Sequence, residues 1–171
     1  MIYRLASRED LKRLTELADQ AIAGFRARGI DQWQKGEPNE LELAAGIEHQ
    51  NIHVIEDEGQ VIAMITVVHG PDASYEQLNG EWPNKEPYCA FHRVCVDETR
   101  KGQGIAGRLF AFSEEFGRSL GYKNVRIDTH PDNISMQRAL SKNGFIQCGT
   151  LTLLDGSEAG ALRLGYHKII G

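Results

Sequence analysis

Residues 92 to 110 read HRVCVDETRKGQGIAGRLF, and within that run Gly102, Gly104 and Gly107 fall on the spacing G-x-G-x-x-G. Glycine inside a helix costs about 1 kcal/mol relative to alanine, so three of them at the head of a helix-forming run need a reason in what lies against that backbone. Upstream, YCAFHRVCV alternates as a strand does, and the polar link Asp97 to Lys101 separates it from the glycines. Downstream, Ile105, Leu109, Phe112, Phe116 and Leu120 recur at spacings of three and four, one apolar face of a helix that Gly121 ends. NVRIDT then reads as another strand.

The remaining elements arrange themselves around this centre. Ile2 to Leu5 reads as a short strand, and Ser7-Arg8-Glu9-Asp10 resembles a capping box opening a helix whose apolar face carries Leu11, Leu14, Leu17, Ala18, Ala21, Ile22 and Phe25. Gly29 ends that helix, GIDQWQKGEPN is a loop carrying Trp33, and Asn39 is placed to cap a second helix to about His49. NIHVIED and QVIAMITVVHG, separated by Glu58-Gly59, read as an antiparallel hairpin. PDASYEQLNGEWPNKEP is a long loop with Tyr75 and Trp82, long enough to suggest a binding or covering role. Asp132 or Asn133 opens a last helix carrying Met136, Ala139 and Leu140, and two strands around Asp155-Gly156 finish the chain. The expectation is one domain over residues 1–171, of α+β class: a mixed, mostly antiparallel central sheet of about seven strands flanked by helices on both faces.

Charge and composition remove several function classes. Net charge is −5, with no basic stripe alternating with aromatics, which argues against nucleic acid as a partner. VIAMITVV, the longest apolar stretch, is far short of the roughly 20 residues that cross a bilayer, and no secretory segment is recognised at the start, so a cytoplasmic protein off the membrane is expected. Cys89, Cys95 and Cys148 fit reduced thiols; Cys89, His92 and Cys95 lie three apart on a strand, pointing to opposite faces, so no metal is expected there.

What the glycines hold is a question of topology. G-x-G-x-x-G between strand and helix, with Asp128 about 20 residues on, is the dinucleotide-binding fingerprint. Five polar residues, DETRK, however, stand between Val96 and Gly102, and only 43 residues follow Asp128, too few to complete a doubly wound sheet. The shared physics survives: glycines allow close approach, free N–H groups point outward, and a helix N-terminus adds about half a positive charge, so a diphosphate suits the loop.

VCVDETRKGQGIAGRLF resembles the acyl-CoA-binding signature of the GNAT superfamily of N-acetyltransferases, [Q/R]-x-x-G-x-[G/A], which falls here on Lys101, Gly102, Gln103, Gly104, Ile105 and Ala106, with Lys101 departing from the usual Gln or Arg. DNISMQRALSKNGF is similar to a second family feature, an asparagine opening a helix that ends in Gly-Phe, and with GIDQWQKGEPN it resembles a bacterial subgroup of uncharacterised members. The resemblance covers nearly the whole chain. It implies acetyl-CoA as co-substrate, with Val94, Cys95 and Val96 along the pantetheine arm, Gln103 to Ala106 cradling the pyrophosphate, Asn133 bonding the arm, and Arg100 and Lys101 toward the adenosine phosphates; Lys101 and Gly102 complete the cofactor-binding set. It also implies direct attack of an amine on the thioester, the Val94 backbone N–H facing the oxyanion, and a homodimer as a family-level expectation.

An amine must lose a proton before it attacks, and His92, which alternation places on the side of Val94 and Val96, is the candidate base. A buried structural histidine is the alternative. Many members carry a tyrosine seven residues after the asparagine, as the acid for the departing thiolate; here Leu140 stands there, leaving water, Tyr166 or an unassisted departure. The acceptor, a small-molecule amine or else a protein N-terminus, is expected near Trp33 and Trp82. Two rival readings remain: a non-catalytic acyl-CoA sensor, and a small nicotinamide-binding protein.

Overall fold

A computed structural model describes residues Met1–Gly171. It contains strands β1 (Ile2–Leu5), β2 (Ile52–Asp57), β3 (Gln60–His69), β4 (Asn79–Gly80), β5 (Cys89–Val96), β6 (Asn124–Thr129), β7 (Ile146–Thr152) and β8 (Leu162–Ile169). The helices are α1 (Leu11–Ala27), α2 (Glu40–Glu48), α3 (Ile105–Ser119) and α4 (Ile134–Lys142). The strands form one mixed sheet in the order β1-β2-β3-β5-β6-β8-β7-β4, with eight strands where about seven were expected. β5 and β6 run parallel, whereas β1–β2, β2–β3, β6–β8, β7–β8 and β4–β7 are antiparallel. None of the helices is long and apolar enough to cross a membrane.

The chain divides into two compact units, Met1–Val67 with His92–Ser113, and Val68–Phe91 with Glu114–Gly171. In the first, the apolar face predicted for α1 is the core: Leu14, Leu17 and Ala18 pack with Leu43 and Ile47 of α2, Ile52, Val54, Val61 and Met64 of the hairpin, and Cys95 of β5. The Ser7 N–H donates to Asp10 Oδ2 at 2.7 Å, but the turn it opens is 3-10, over Arg8–Asp10, before α1 begins. Asn39 caps α2 reciprocally: its Oδ1 accepts from the N–H groups of Leu41 and Glu42, and its own N–H donates to Glu42. Glu58 and Gly59 both have positive φ, 50° and 78°, as a two-residue hairpin turn requires.

In the second unit the supposed loop after β3 is more structured than its composition implies. It makes a 3-10 turn at Tyr75–Gln77 and then β4, the strand missing from the sequence reading. Asn-Gly ordinarily marks a turn. Here Gly80 lies opposite Gly149 of β7 so closely that a Cβ on Gly80 would stand 2.2 Å from the Cys148 carbonyl oxygen, and one on Gly149 2.3 Å from that of Asn79. Glycine on both sides lets the two backbones meet, which no apolar periodicity announces. Tyr75, Tyr88, Ala90 and Leu151 form the apolar cluster beneath, with Leu78 and Trp82 packed on it.

Candidate active site

The link Asp97 to Lys101 folds as a 3-10 turn over Glu98–Arg100. Asp97 anchors it: Oδ1 accepts from the Thr99 N–H at 2.8 Å and its hydroxyl at 2.6 Å, Oδ2 meets the Arg13 guanidinium of α1, and the Asp97 N–H donates to the Ile62 carbonyl of β3. Burial pushes the Asp97 carboxyl up, but Thr99 and Arg13 outweigh it and leave the group below the usual carboxylate range. Arg100 bonds Asp57 at 2.8 Å and Gln103 Oε1 at 3.0 Å, so its side chain is engaged within the protein instead of reaching outward. Lys101 pairs with Glu98 at 3.4 Å, with both side chains about half exposed.

The side chains of this loop are thus turned to one another while its main chain is open. Gly102 and Gly104 both have φ of 76°, a conformation that strains any residue with a Cβ, and no atom lies within 4 Å of where a Cβ would stand on either. The main-chain N–H groups of Gly102, Gln103, Gly104, Ile105, Ala106 and Gly107 find no acceptor in the protein; the first N–H in this stretch with one is that of Arg108, to the Gly104 carbonyl at 3.2 Å. Gly102 to Gly104 are exposed, whereas Ile105 is buried and fixes the start of α3. Six consecutive N–H groups without an acceptor, at a helix N-terminus with open space beside Gly102 and Gly104, are an arrangement that can take an anionic group such as a diphosphate.

β5, which leads into this loop, is not a regular strand. Arg93 has φ of 52°, a left-handed residue in the middle of it. The two-residue alternation that put His92 on the side of Val94 and Val96 therefore does not run through Arg93 unbroken. His92, Arg93, Val94 and Val96 are half-buried, while Cys95 is enclosed in the core.

The other expected residues are dispersed over the two units. Trp33, in the first, is left-handed at φ 58° and stacks edge-on against Phe25 at 5.4 Å. Trp82, in the second, donates its indole N–H to the Tyr75 carbonyl at 2.8 Å and lies over the Arg126 guanidinium at 4.3 Å. Asn133 is buried, and its Oδ1 accepts from the Met136 N–H at 3.2 Å, so it caps α4. Leu140 is fully enclosed. Tyr166 is buried as well, and burial raises its hydroxyl pKa, which keeps it protonated.

The sequence reading missed a polar layer within the second unit. Arg126 lies between Trp82 and Tyr88, its guanidinium 4.0 Å from the Tyr88 ring. Its Nε–H donates to His167 Nδ1 at 3.3 Å and its Nη2 to the Asn84 carbonyl at 3.0 Å. Since Nδ1 accepts, the imidazole proton is on Nε2, which donates to Asn124 Oδ1 at 3.0 Å. Burial, followed by the Arg126 charge, pushes His167 down to about 4. Beside this lies Asp128, which the sequence offered only as a rejected dinucleotide acid; the Tyr75 hydroxyl donates to its Oδ2 at 2.6 Å and Arg163 Nε lies 3.8 Å from its Oδ1. Only NVRIDT hinted at the layer, through polar residues alternating with apolar ones.

Comparison with known proteins bears on the fold and the family. A solved GNAT-family acetyltransferase from Streptococcus agalactiae is 29% identical with a TM-score of 0.86, covering 98% of this chain and 94% of that one. The S-alkylcysteine N-acetyltransferase of Bacillus subtilis is 28% identical over 114 residues, 67% of this chain; the chain spans 59% of that relative's length. A structure from Salmonella typhimurium with its cofactor acetyl-CoA shares the fold at 14% identity, with a TM-score of 0.72 over 100% of this chain and 94% of that one. The family model described as acetyltransferase (GNAT) family matches residues 11–145, which takes in β5, the glycine loop, α3 and α4, and the chain belongs to that family.

Proposed function

We propose that the protein transfers an acetyl group from acetyl-CoA to the amino group of a small molecule, by direct attack of the amine in a ternary complex. The observation that carries this reading is the run of six unaccepted N–H groups from Gly102 to Gly107. Acetyl-CoA, when bound, supplies the thioester carbon and a thiol leaving group. Gln103 to Ala106 hold its diphosphate, and Val94, Cys95 and Val96 lie along its arm. Asn133 contributes by holding the start of α4, with its Oδ1 on Met136.

The left-handed turn at Arg93 supports a role for the next residue, Val94, whose N–H would face the oxyanion. His92 is the base that takes the amine's proton. With Leu140 enclosed, no donor stands at the position of the family's tyrosine; a thiol of ordinary pKa, near 8.5, departs as its anion without one, and Tyr166 is the protonated side chain available as an alternative. A small amine is favoured over a protein N-terminus because the Bacillus subtilis relative is an S-alkylcysteine N-acetyltransferase. The enclosed Leu140 also favours a second reading, an acyl-CoA sensor that binds without turnover.

The test has two steps. Acetyl-CoA at about 100 times its Kd stabilises the fold by about 2.7 kcal/mol, raising Tm, and NAD does not. A panel of amines that includes S-alkylcysteines then releases free thiol from acetyl-CoA. Stabilisation without thiol release from any amine supports the sensor, and no stabilisation by acetyl-CoA overturns both.

A further inference from the structure

Gly102 and Gly104 leave the tip of the glycine loop with a single side chain, that of Gln103 between them. Glycine has more backbone freedom to lose than any other residue, so a tip of this composition keeps one conformation only where something holds it. The Gln103 amide is the handle. Its Oε1 accepts from Arg100 Nε at 3.0 Å, and its Nε2 donates to the Thr99 carbonyl at 3.5 Å. Arg100 is fastened in turn, since its Nη2 donates to Asp57 Oδ2 at 2.8 Å, with 27% of the Arg100 side chain and 21% of the Asp57 side chain exposed. Asp57 closes β2 opposite Gln60 of β3, so this path ends on paired strand backbone. Its other oxygen, Oδ1, lies 3.6 Å from the Met1 α-amino group. Arg100 is the chief cause that holds the Asp57 carboxyl below its ordinary pKa range. Asp57, Arg100 and Gln103 all lie in the first unit, with the loop they hold.

We propose that Asp57 is a positioning residue for acetyl-CoA: through Arg100 it holds Gln103, and so keeps the main-chain N–H groups of the loop set before the diphosphate arrives. This rests on the acetyltransferase reading, in which the loop receives that diphosphate, and adds a residue from outside the loop. The sign of the effect separates this role from plain electrostatics. Asp57 is an anion two contacts away from a loop that takes an anionic ligand, so charge alone makes its removal tighten binding. A loop released from its anchor has to be ordered by the ligand, which weakens binding.

The experiment is a calorimetric titration of the full chain with acetyl-CoA and with its 3′-dephospho form, alongside the Tm of the unliganded proteins. Asp57→Ala is expected to weaken acetyl-CoA about fivefold and Gln103→Ala about as much, each by the same factor for both probes. The double variant binds within about twofold of Gln103→Ala alone, because the two residues act along one path. Asp57→Glu, which keeps the anion, binds within about twofold of the wild type. Tm moves little, because a partly exposed ion pair contributes little to stability. Unchanged or tighter binding by Asp57→Ala overturns the proposal, as do losses that add in the double variant. A loss confined to acetyl-CoA also overturns it, by putting Arg100 on the 3′-phosphate. Where Asp57→Ala fails to fold, Gln103→Ala still decides, its position being exposed: binding within about twofold of the wild type overturns the proposal. The wild-type titration separates the two failures. Absence of acetyl-CoA binding removes the acetyltransferase reading as well, whereas wild-type binding that the variants leave unchanged removes this proposal alone.

Discussion

The glycine loop and the layer around Arg126 treat polar groups in opposite ways. In the loop, six main-chain donors have no acceptor in the protein, and water reaches the exposed glycines. In the layer, Arg126, His167 and Asn124 are buried and bonded to one another or to backbone carbonyls. An unmet polar group costs about 1–3 kcal/mol when buried, so the layer has to be saturated to exist at all. The loop lies in water and bears no such cost until a ligand arrives with its own acceptors. Unmet donors at an accessible surface are open to a ligand, whereas saturation in the interior belongs to the scaffold.

Substitutions on each side can break that contrast. Arg126→Ala removes the cation between two rings and leaves His167 Nδ1 and the Asn84 carbonyl without their donor, so the fold should lose about 3 kcal/mol or more. Denaturant titration reads the loss, and acetyl-CoA affinity per folded molecule should change less than threefold; a cost under about 1 kcal/mol would remove the layer's claim to be scaffold. Gly104→Val should do the reverse. With no protein atom within 4 Å of its Cβ it introduces no internal clash, yet it strains a φ of 76° and crowds the cradle, so acetyl-CoA should bind about 100-fold more weakly by calorimetry, roughly 2.7 kcal/mol.

A smaller effect comes from acid. His167 titrates at about 4 in the folded chain and near its ordinary value, about 6.5, when unfolded. The unfolded state therefore binds the proton first as pH falls. The stability His167 contributes is complete above about pH 6.5 and is lost on going down toward 4, at up to about 1.4 kcal/mol per pH unit. His167→Gln should reduce the slope in that window by up to about 1.4 kcal/mol per pH unit and leave the slope that His53, also pushed down to about 4 by burial, contributes there. Last, Asn133→Ala removes the α4 cap and should cost about 1 kcal/mol. If acetyl-CoA affinity falls by more than about tenfold as well, Asn133 belongs to the binding side of the comparison rather than to the scaffold.

How much of this was legible depends on which interactions are local. Periodicity in α1, the reciprocal cap at Asn39, the turn at Glu58-Gly59 and the glycine spacing at 102–107 are set by residues within a few positions of each other, and all four were readable. β4 was not, because its pairing depends on a glycine 69 positions away in β7. The left-handed Arg93 carries no compositional mark, since neither its own type nor its neighbours favour positive φ. Asp128 could be seen as an acid at a strand end, but Tyr75 and Arg163 reach it only through tertiary structure. Trp33 and Trp82 were visible as aromatic loop residues, and both prove to have packing partners, Phe25 for one and the Tyr75 carbonyl with Arg126 for the other.

The three sulfurs have a practical consequence. Burial pushes Cys89 up to about 11 and Cys95 up to about 12, and raises Cys148 as well. The reactive form of a thiol is its anion, so the intact fold offers almost none to an electrophile near neutrality. A colorimetric disulfide reagent would therefore leave Cys89 and Cys95 silent in the folded chain, and a slow rise in colour from them would report molecules coming apart.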